Sequence, residues 1–212
     1  MKYDYLIFDL DGTISDPKEG IVKSMNYALR SHGFPEYAAD ELSQFIGPTL
    51  DKAFAELSST TDKDLIAALV TKFRERYSDK GFSENVLYPD MVDTLETLYP
   101  SIKLGICTSK RVDFAEKILE MFSIRHYFTF VNGGDVGIEK GKQLESLLAQ
   151  KVVNHQSIMI GDRDVDLIAA QQNNLDAAAV LWGHGSYEEL IQHKSTHILS
   201  SPSELLNLVD TD

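Results

Sequence analysis

The most constraining feature of the sequence is a regular alternation of short apolar runs and amphipathic stretches that fills the chain from Pro89 onward. Almost wholly apolar runs of this length are typical of strands buried on both faces of a parallel sheet. Parallel neighbours need a crossover connection, and helical crossovers place helices on both faces of the sheet. The alternation therefore predicts an α/β fold built on a parallel sheet.

The spacing of apolar residues predicts where these segments begin and end. Short apolar runs predict strands at 5–8, 103–108, 127–131, 157–160, 177–181 and 197–199. Amphipathic stretches predict helices at 91–98, 112–121, 142–150, 165–172, 187–193 and 202–209.

One segment, residues 16–82, departs from this alternation. It has helical periodicity at 16–31, 40–57 and 62–77 and no obvious strand. Gly47-Pro48 should break the middle stretch in two, because proline cannot continue a helix. The chain is therefore predicted to form a helical insertion after its first strand.

Two aspartates follow that first strand. The apolar run Tyr5–Phe8 ends in Asp9-Leu10-Asp11-Gly12-Thr13, and at strand spacing the two aspartates point to the same side. They lie beyond the carboxyl end of the strand, where open α/β sheets bind ligands. A divalent cation would offset their repulsion, and a carboxylate beside a metal is a competent nucleophile for phosphorus. The alternative is a plain Asp-Gly turn.

Polar residues also follow other predicted strands. Thr108 and Ser109 close the second core strand, where a hydroxyl and backbone N–H groups suit a phosphate and Ser109 could also cap the next helix. Lys140 or Lys142 could supply the positive charge that phosphoryl transfer needs, although a surface lysine is more often simply solvated. Asp162 lies just past another buried strand. The recurrence of such residues at strand ends favours a phosphate site over a turn.

Composition narrows the possible partners. The 212 residues include 33 acidic and 20 basic ones, for a net charge of −13, which argues against binding to nucleic acid or to an anionic membrane surface. No apolar stretch is long enough to span a bilayer, and no secretion signal is recognisable. The single cysteine, Cys107, excludes an internal disulfide and is interpreted as a packing residue. We expect a cytoplasmic protein that acts on a small molecule.

The sequence resembles the phosphatases of the haloacid dehalogenase superfamily over essentially its whole length, in the branch similar to phosphoglycolate and nucleotide phosphatases. The superfamily's Asp-x-Asp-Gly-Thr signature is unaltered at residues 9–13, its Thr/Ser is Thr108, its lysine lies within 140–142, and its acidic motif is Gly161-Asp162-Arg163-x-x-Asp166. The resemblance implies a Rossmann-like core domain of residues 1–15 and 83–212. It also implies an α-helical cap domain of residues 16–82, in which residues 46–50 resemble a loop that faces substrate.

The resemblance also implies a role for each matched residue. Asp9 would attack phosphorus and become an aspartyl phosphate, and Asp11 would protonate the leaving alkoxide and then deprotonate water. Mg²⁺ would be held by Asp9, the backbone carbonyl of Asp11 and Asp162, with Asp166 in support. Thr108 would bind the phosphoryl oxygens. The predicted substrate-binding residues are Gly12, Thr13, Ser109 and Lys142.

The sequence departs from the family pattern at the lysine, because many relatives have Lys-Pro where this chain has Lys140-Gly141-Lys142. Apolar residues usually follow the family lysine by four, seven and eight positions. Lys140 meets this spacing with Leu144, Leu147 and Leu148. Lys140 is therefore the predicted site lysine, with Lys142 as the alternate.

The predicted function is Mg²⁺-dependent hydrolysis of a small phosphate monoester, with phosphoglycolate as the first candidate. A nucleotide or sugar-phosphate phosphatase and a phosphomutase remain alternatives. A dehalogenase is disfavoured because it needs neither a metal nor an acid at Asp11. A phospho-accepting binding or signalling module without turnover is the alternative from another class, although the insertion and Asp11 argue against it. The oligomeric state, monomer or homodimer, is left open.

Overall fold

The structure is a computed structural model in which residues 2–135 and 137–209 are described, so residues 1, 136 and 210–212 of the predicted core domain lie outside the described residues. Its strands are β1 Tyr5–Phe8, β2 Ser15–Asp16, β3 Val86–Leu87, β4 Lys103–Thr108, β5 Phe128–Gly133, β6 Ser157–Gly161, β7 Asp176–Val180 and β8 His197–Leu199. Six of them form one sheet in the order β5-β4-β1-β6-β7-β8, and every neighbouring pair in it is parallel.

The α-helices surround this sheet. They are α1 Lys18–Ser31, α2 Ala39–Ser43, α3 Leu50–Leu57, α4 Lys63–Asp79, α5 Met91–Leu98, α6 Val112–Met121, α7 Lys140–Ala149, α8 Asp164–Gln172 and α9 Tyr187–Ile191. None of the described helices is long and apolar enough to cross a membrane.

Alternate residues of β1 pack into different cores, as the period of a strand requires. Leu6 and Phe8 belong to a cluster that contains residues of α5 and α6, whereas Ile7 belongs to a cluster that contains residues of α7 and α8. All three side chains are fully buried. The predicted parallel sheet with helices on both faces is confirmed.

The helices α1–α4, which we call the helical insertion, pack around an apolar core that also includes Phe114 of α6. Phe54 meets Phe73 edge-on at 6.2 Å between ring centroids, and Phe73 stacks on Tyr77 at 5.3 Å. Because proline and a left-handed glycine interrupt the chain at Gly47-Pro48, α2 and α3 are separate helices. This core is distinct from the two cores that flank the sheet.

Two short elements differ from the sequence-based expectation. The strands β2 and β3 form an antiparallel pair at the base of the insertion, and two residues each are too few to give a periodic signal. Residues 202–209, predicted to be α-helical, instead contain the 3-10 helix Pro202–Leu208. Its buried residues Pro202, Leu205 and Leu208 recur every three positions, which matches the three-residue turn of a 3-10 helix.

Candidate active site

Three adjacent strands end at the same edge of the sheet and bring Asp9, Thr108 and Asp162 together. Phe8, the last residue of β1, is in register with Ile106 of β4 and Ile160 of β6. The residues that follow therefore leave the sheet at nearly the same level. All three polar side chains are buried, and buried polar groups require partners.

The first set of partners is an acidic cluster formed by Asp9, Asp162 and Asp166. One carboxylate oxygen from each lies within 4.8 Å of the others. The ammonium of Lys140, at the start of α7, lies 3.1 Å from Asp9 Oδ2 and also donates a hydrogen bond to Asp166 Oδ1. The cluster therefore contains three carboxyl groups and one lysine ammonium.

Burial and mutual repulsion perturb these groups. Burial, together with the charges of Asp166 and Asp9, raises the pKa of Asp162 well above its ordinary value. Burial alone would lower the pKa of Lys140, but the carboxylates of Asp166 and Asp9 outweigh it and raise that pKa. Lys140 thus stays charged, and the excess of acids over cations would be offset by a divalent cation.

The residues of the cluster fit such a cation. Asp9 Oδ1 is buried and has no hydrogen-bond partner among the described residues, and carboxylate oxygens are the ligands that Mg²⁺ prefers. Both oxygens of Asp166 are engaged, one by Lys140 and the other by the backbone N–H of Arg163 at 3.1 Å. Asp9 is therefore suited to ligate a cation, with Asp162 beside it in the same cluster, and Asp166 is suited to orient Lys140.

The loop after β1 packs directly against Asp162. Gly12 has φ of +83°, and a Cβ there would lie 2.1 Å from Asp162 Oδ2, so only glycine fits. The hydroxyl of Thr13 donates to Asp162 Oδ1 at 3.4 Å, and the backbone N–H of His184 donates to Asp162 Oδ2 at 2.7 Å. Gly12 and Thr13, predicted to bind substrate, thus adjoin the acidic cluster.

A second charged pair lies beside the cluster. The ammonium of Lys110 is 2.8 Å from Asp11 Oδ2 and donates to the hydroxyl of Tyr77 at 2.8 Å. Burial raises the pKa of Asp11, and the charge of Lys110 opposes that rise. Because Tyr77 belongs to α4, this contact ties the helical insertion to the sheet edge. The sequence interpretation missed both Lys110 and Tyr77, and the only available signal was the position of Lys110 two residues after Thr108.

A cavity of about 80 Å³ lies between the insertion and the sheet edge. Asp9, Asp11, Thr108 and Ser109 contribute to its lining. Apolar side chains of the insertion form much of the remaining wall, including Phe45, which also belongs to the apolar core of the insertion. The carboxylates therefore face a space that can hold a small molecule.

The structure separates the two candidate lysines. The Lys140 side chain is 2% exposed and contacts Asp9, whereas the Lys142 side chain is 75% exposed and pairs with Glu145 at 2.7 Å. Lys142, predicted as the alternate and as a substrate-binding residue, lies outside the cluster and the cavity lining described above. The reason is helical geometry, since two positions along α7 turn a side chain to another face.

Two other expectations have clear structural outcomes. Ser109 is half-buried in the cavity wall. It does not cap α6, because that helix begins three residues later, at Val112. The loop between them is held by hydrogen bonds from the Gly134 N–H to the carbonyls of Thr108 and Lys110. Burial raises the pKa of the Cys107 thiol to about 12, so the thiol stays protonated and packs as expected.

Arg163 does more than pair with a nearby carboxylate. Its guanidinium donates to Glu189 Oε1 of α9 at 2.8 Å. It also donates to the backbone carbonyls of Gln44, at 3.0 Å, and Ile46 in the helical insertion. The acidic motif is therefore linked directly to the insertion.

The fold and this arrangement of acids and lysine agree with the comparisons to known proteins. A profile of the family described as "Haloacid dehalogenase-like hydrolase" matches residues 6–180. The chain belongs to the haloacid dehalogenase-like hydrolases.

Individual relatives cover the chain almost completely. It is 31% identical to a 5'-nucleotidase from Pseudomonas aeruginosa, over 100% of this chain and 97% of the relative. It is 29% identical to a phosphoglycolate phosphatase from Aquifex aeolicus, over 97% and 96% of the two chains. A crystal structure of a predicted phosphatase from Clostridium acetobutylicum superposes with a TM-score of 0.92 at 32% identity, over 98% of each chain. The prediction of a phosphatase from this family is thereby confirmed.

Proposed function

We propose that the protein hydrolyses small phosphate monoesters in a Mg²⁺-dependent reaction with Asp9 as the nucleophile. The observation that carries this proposal is the state of the Asp9 carboxylate at the cavity. Asp9 Oδ2 is held by Lys140 at 3.1 Å, while Oδ1 is buried without a partner among the described residues. A carboxylate that lines the cavity and whose orientation is fixed by a buried lysine is suited to attack.

The first step forms an acyl phosphate on Asp9. An Asp9 oxygen bonds to phosphorus as the bond from phosphorus to the ester oxygen breaks, and the leaving alkoxide takes the proton of Asp11. Burial, which raises the pKa of Asp11, favours the protonated acid that this step needs. Asp11 lines the same cavity as Asp9, so both groups can reach one ester.

The second step returns the enzyme to its starting state. Asp11, now ionised and paired with Lys110 at 2.8 Å, takes a proton from water as the water oxygen bonds to phosphorus. The bond from phosphorus to Asp9 breaks, which releases inorganic phosphate and restores the Asp9 carboxylate. Thr108 and Ser109, which also line the cavity, would bind the phosphoryl oxygens.

Asp9, Asp162 and the backbone carbonyl of Asp11 would hold the Mg²⁺, with Asp166 in support. The bound cation would lower the repulsion between Asp9 and the anionic phosphoryl group. Lys140 would hold the orientation of Asp9 and Asp166 throughout.

We further propose that residues 16–82 act as a cap domain over a core domain of residues 1–15 and 83–212. The ion pair between Arg74 of α4 and Asp135, with the bonds from Arg163 to the insertion, supports a closed position over the cavity. A closed cap would exclude bulk water while an ester is bound.

The named relatives suggest which esters to test. The Aquifex aeolicus relative is named a phosphoglycolate phosphatase and the Pseudomonas aeruginosa relative a 5'-nucleotidase. Phosphoglycolate, nucleoside monophosphates and sugar phosphates therefore form the first panel.

Phosphate release from this panel should depend on the metal. We expect at least about a 100-fold lower rate after chelation with EDTA than with Mg²⁺, because the acidic cluster would then repel the phosphoryl group. The measurement is inorganic phosphate against time, with re-addition of Mg²⁺ as the control. A rate that is unaffected by chelation would contradict the proposed metal role. A stable phosphoprotein without phosphate release would favour the binding module over the enzyme.

Lys110→Met should lower turnover about 10- to 100-fold, because Asp11 would lose its ion pair and a charge-assisted hydrogen bond. Tyr77→Phe should lower it about 3- to 10-fold, since only the hydroxyl that holds Lys110 is removed. The measurement is kcat on one ester at saturating Mg²⁺.

Lys103→Met is a matched control for these variants. Lys103 also donates to a tyrosine, Tyr5, at 3.2 Å, but Tyr5 and Lys103 are paired at the start of their strands, away from the site. A loss of turnover in Lys103→Met equal to that in Lys110→Met would refute a specific role for Lys110.

A further inference from the structure

The composition of the cavity beneath the helical insertion bears on the alcohol part of the ester, and this inference rests on the function proposed above. The cavity extends from Asp9 and Asp11 to apolar side chains such as Phe45. A phosphoryl group that carries only glycolate offers no apolar surface to these side chains. It would leave the apolar side of the cavity in contact with water, which is unfavourable.

That apolar side is an aromatic wall formed by Phe45, Phe73, Tyr77 and Phe114. The rings of Phe73 and Tyr77 stack at 5.3 Å, and Tyr77 meets Phe114 edge-on at 5.1 Å between centroids. Each of these rings is largely buried, so packing fixes its orientation before any ligand arrives. A fixed aromatic surface binds another ring with little ordering cost.

The charged groups of the cavity are already paired. Among the described residues that line it, Lys110 pairs with Asp11 at 2.8 Å, Arg111 pairs with Asp113 at 2.9 Å, and Arg74 pairs with Asp135. A carboxylate on the leaving group would have to compete for one of these cations and would also lie near Asp135. Like charges at such range repel.

The cavity does offer one uncharged polar group without a partner among the described residues. The hydroxyl of Thr49, also in the lining, is buried and has no hydrogen-bond partner among the described residues. Such a group can bind an uncharged substituent of a ring, and leaving it unpaired is costly.

We propose that the preferred substrates are phosphate monoesters whose leaving group carries an uncharged aromatic ring, bound against the aromatic wall. Esters with a short anionic leaving group, such as phosphoglycolate, are poorer substrates of this chain.

The test compares kcat/KM for benzyl phosphate, ethyl phosphate and phosphoglycolate with Mg²⁺. Benzyl alcohol and ethanol are alcohols of similar acidity, so the first two esters differ mainly in the ring. Burial of a phenyl group predicts a kcat/KM for benzyl phosphate at least about 30-fold above that for ethyl phosphate. Phosphoglycolate should fall below benzyl phosphate by at least the same factor.

Phe45→Leu tests the wall, because it removes a ring and keeps an apolar side chain. It should lower the benzyl-to-ethyl ratio about 5-fold. Phe34→Leu is the matched control, since Phe34 packs against the same core of the insertion but is not among the cavity-lining residues named for this site. It should leave the ratio unchanged. Asp135→Asn should raise kcat/KM for phosphoglycolate about 10-fold, because Arg74 then becomes available to a carboxylate.

A separate binding measurement distinguishes this inference from the proposed function. Calorimetric titration with benzylphosphonate and ethylphosphonate, which are not hydrolysed, should give at least about 10-fold tighter binding of the ring compound. If no ester is turned over but this preference is found, the proposed function fails and the ring site stands. Equal binding of the two phosphonates, or a kcat/KM for phosphoglycolate equal to or above that for benzyl phosphate, overturns the ring site.

Discussion

Replacing Asp9 with asparagine is expected to lower Mg²⁺-dependent phosphate release by about a thousandfold or more. An amide nitrogen cannot attack phosphorus, and loss of a nucleophile usually removes most of the rate enhancement of an enzyme. The amide keeps the size of the side chain and an oxygen that can still accept from Lys140, which lies 3.1 Å from the carboxylate. Inorganic phosphate release from the best ester of the panel is the measurement.

Asp4→Asn is the control for this variant. Asp4 also flanks β1, but at the opposite end, where its carboxylate accepts from Asn154 at 2.7 Å. Less than about a twofold change is expected there, as for most surface substitutions. An acid quench during turnover should trap phosphate on wild-type protein and not on Asp9→Asn. Turnover by Asp9→Asn within a few-fold of wild type would exclude Asp9 as the nucleophile.

Lys140→Met should lower turnover by about 100-fold or more, while Lys142→Met should change it less than about twofold. Lys140 is the buried cation of the acidic cluster and contacts both Asp9 and Asp166. Its removal leaves three neighbouring carboxylates without that charge, so Asp9 loses its orientation and the site loses a stabiliser of transferred phosphate. Lys142 pairs only with exposed Glu145 among the contacts described.

The two lysine variants serve as controls for each other, because they make the same substitution two residues apart on one helix. Thermal unfolding with and without Mg²⁺ should accompany the kinetics, so that loss of fold in Lys140→Met can be told from loss of function. A larger loss of turnover in Lys142→Met would reverse the assignment of the site lysine.

The sheet could be predicted because each strand is marked by a short apolar run of consecutive residues. Leu6, Ile7 and Phe8 form an apolar run whose side chains point to both faces of the sheet, so both faces must be covered by helices to bury them. The aspartate that follows must then lie at the sheet edge, and the parallel register fixes which other strand ends meet it. The strand pattern therefore predicted that Asp9 and Asp162 lie together, whereas Asp166 was assigned to the same cluster by the family resemblance, and the chemical roles of all three stay predictions.

The contacts between the insertion and the sheet could not be predicted in the same way. Tyr77 reads in the sequence as one more residue near the end of a helix, and Lys110 as a polar loop residue. Their contact at 2.8 Å depends on how α4 lies over the sheet edge. The spacing of apolar residues along the chain does not predict how a helix packs against a distant part of the fold. The same limit applies to Arg163, because its contacts with Glu189 and with the insertion join segments that are far apart in the sequence.

The position of Arg163 would couple two proposed binding events, that of the metal and that of the ester. Its backbone N–H donates to Asp166, and its guanidinium donates to the carbonyls of Gln44 and Ile46. A cation held by the acidic cluster and a molecule held beneath the insertion would thus share one residue between them. If occupancy of one site steadies Arg163, the affinity of the other rises, and linkage requires that the gain be equal in both directions. The metal affinity of this chain would then depend on whether an ester is bound, by the same factor by which the metal tightens the ester.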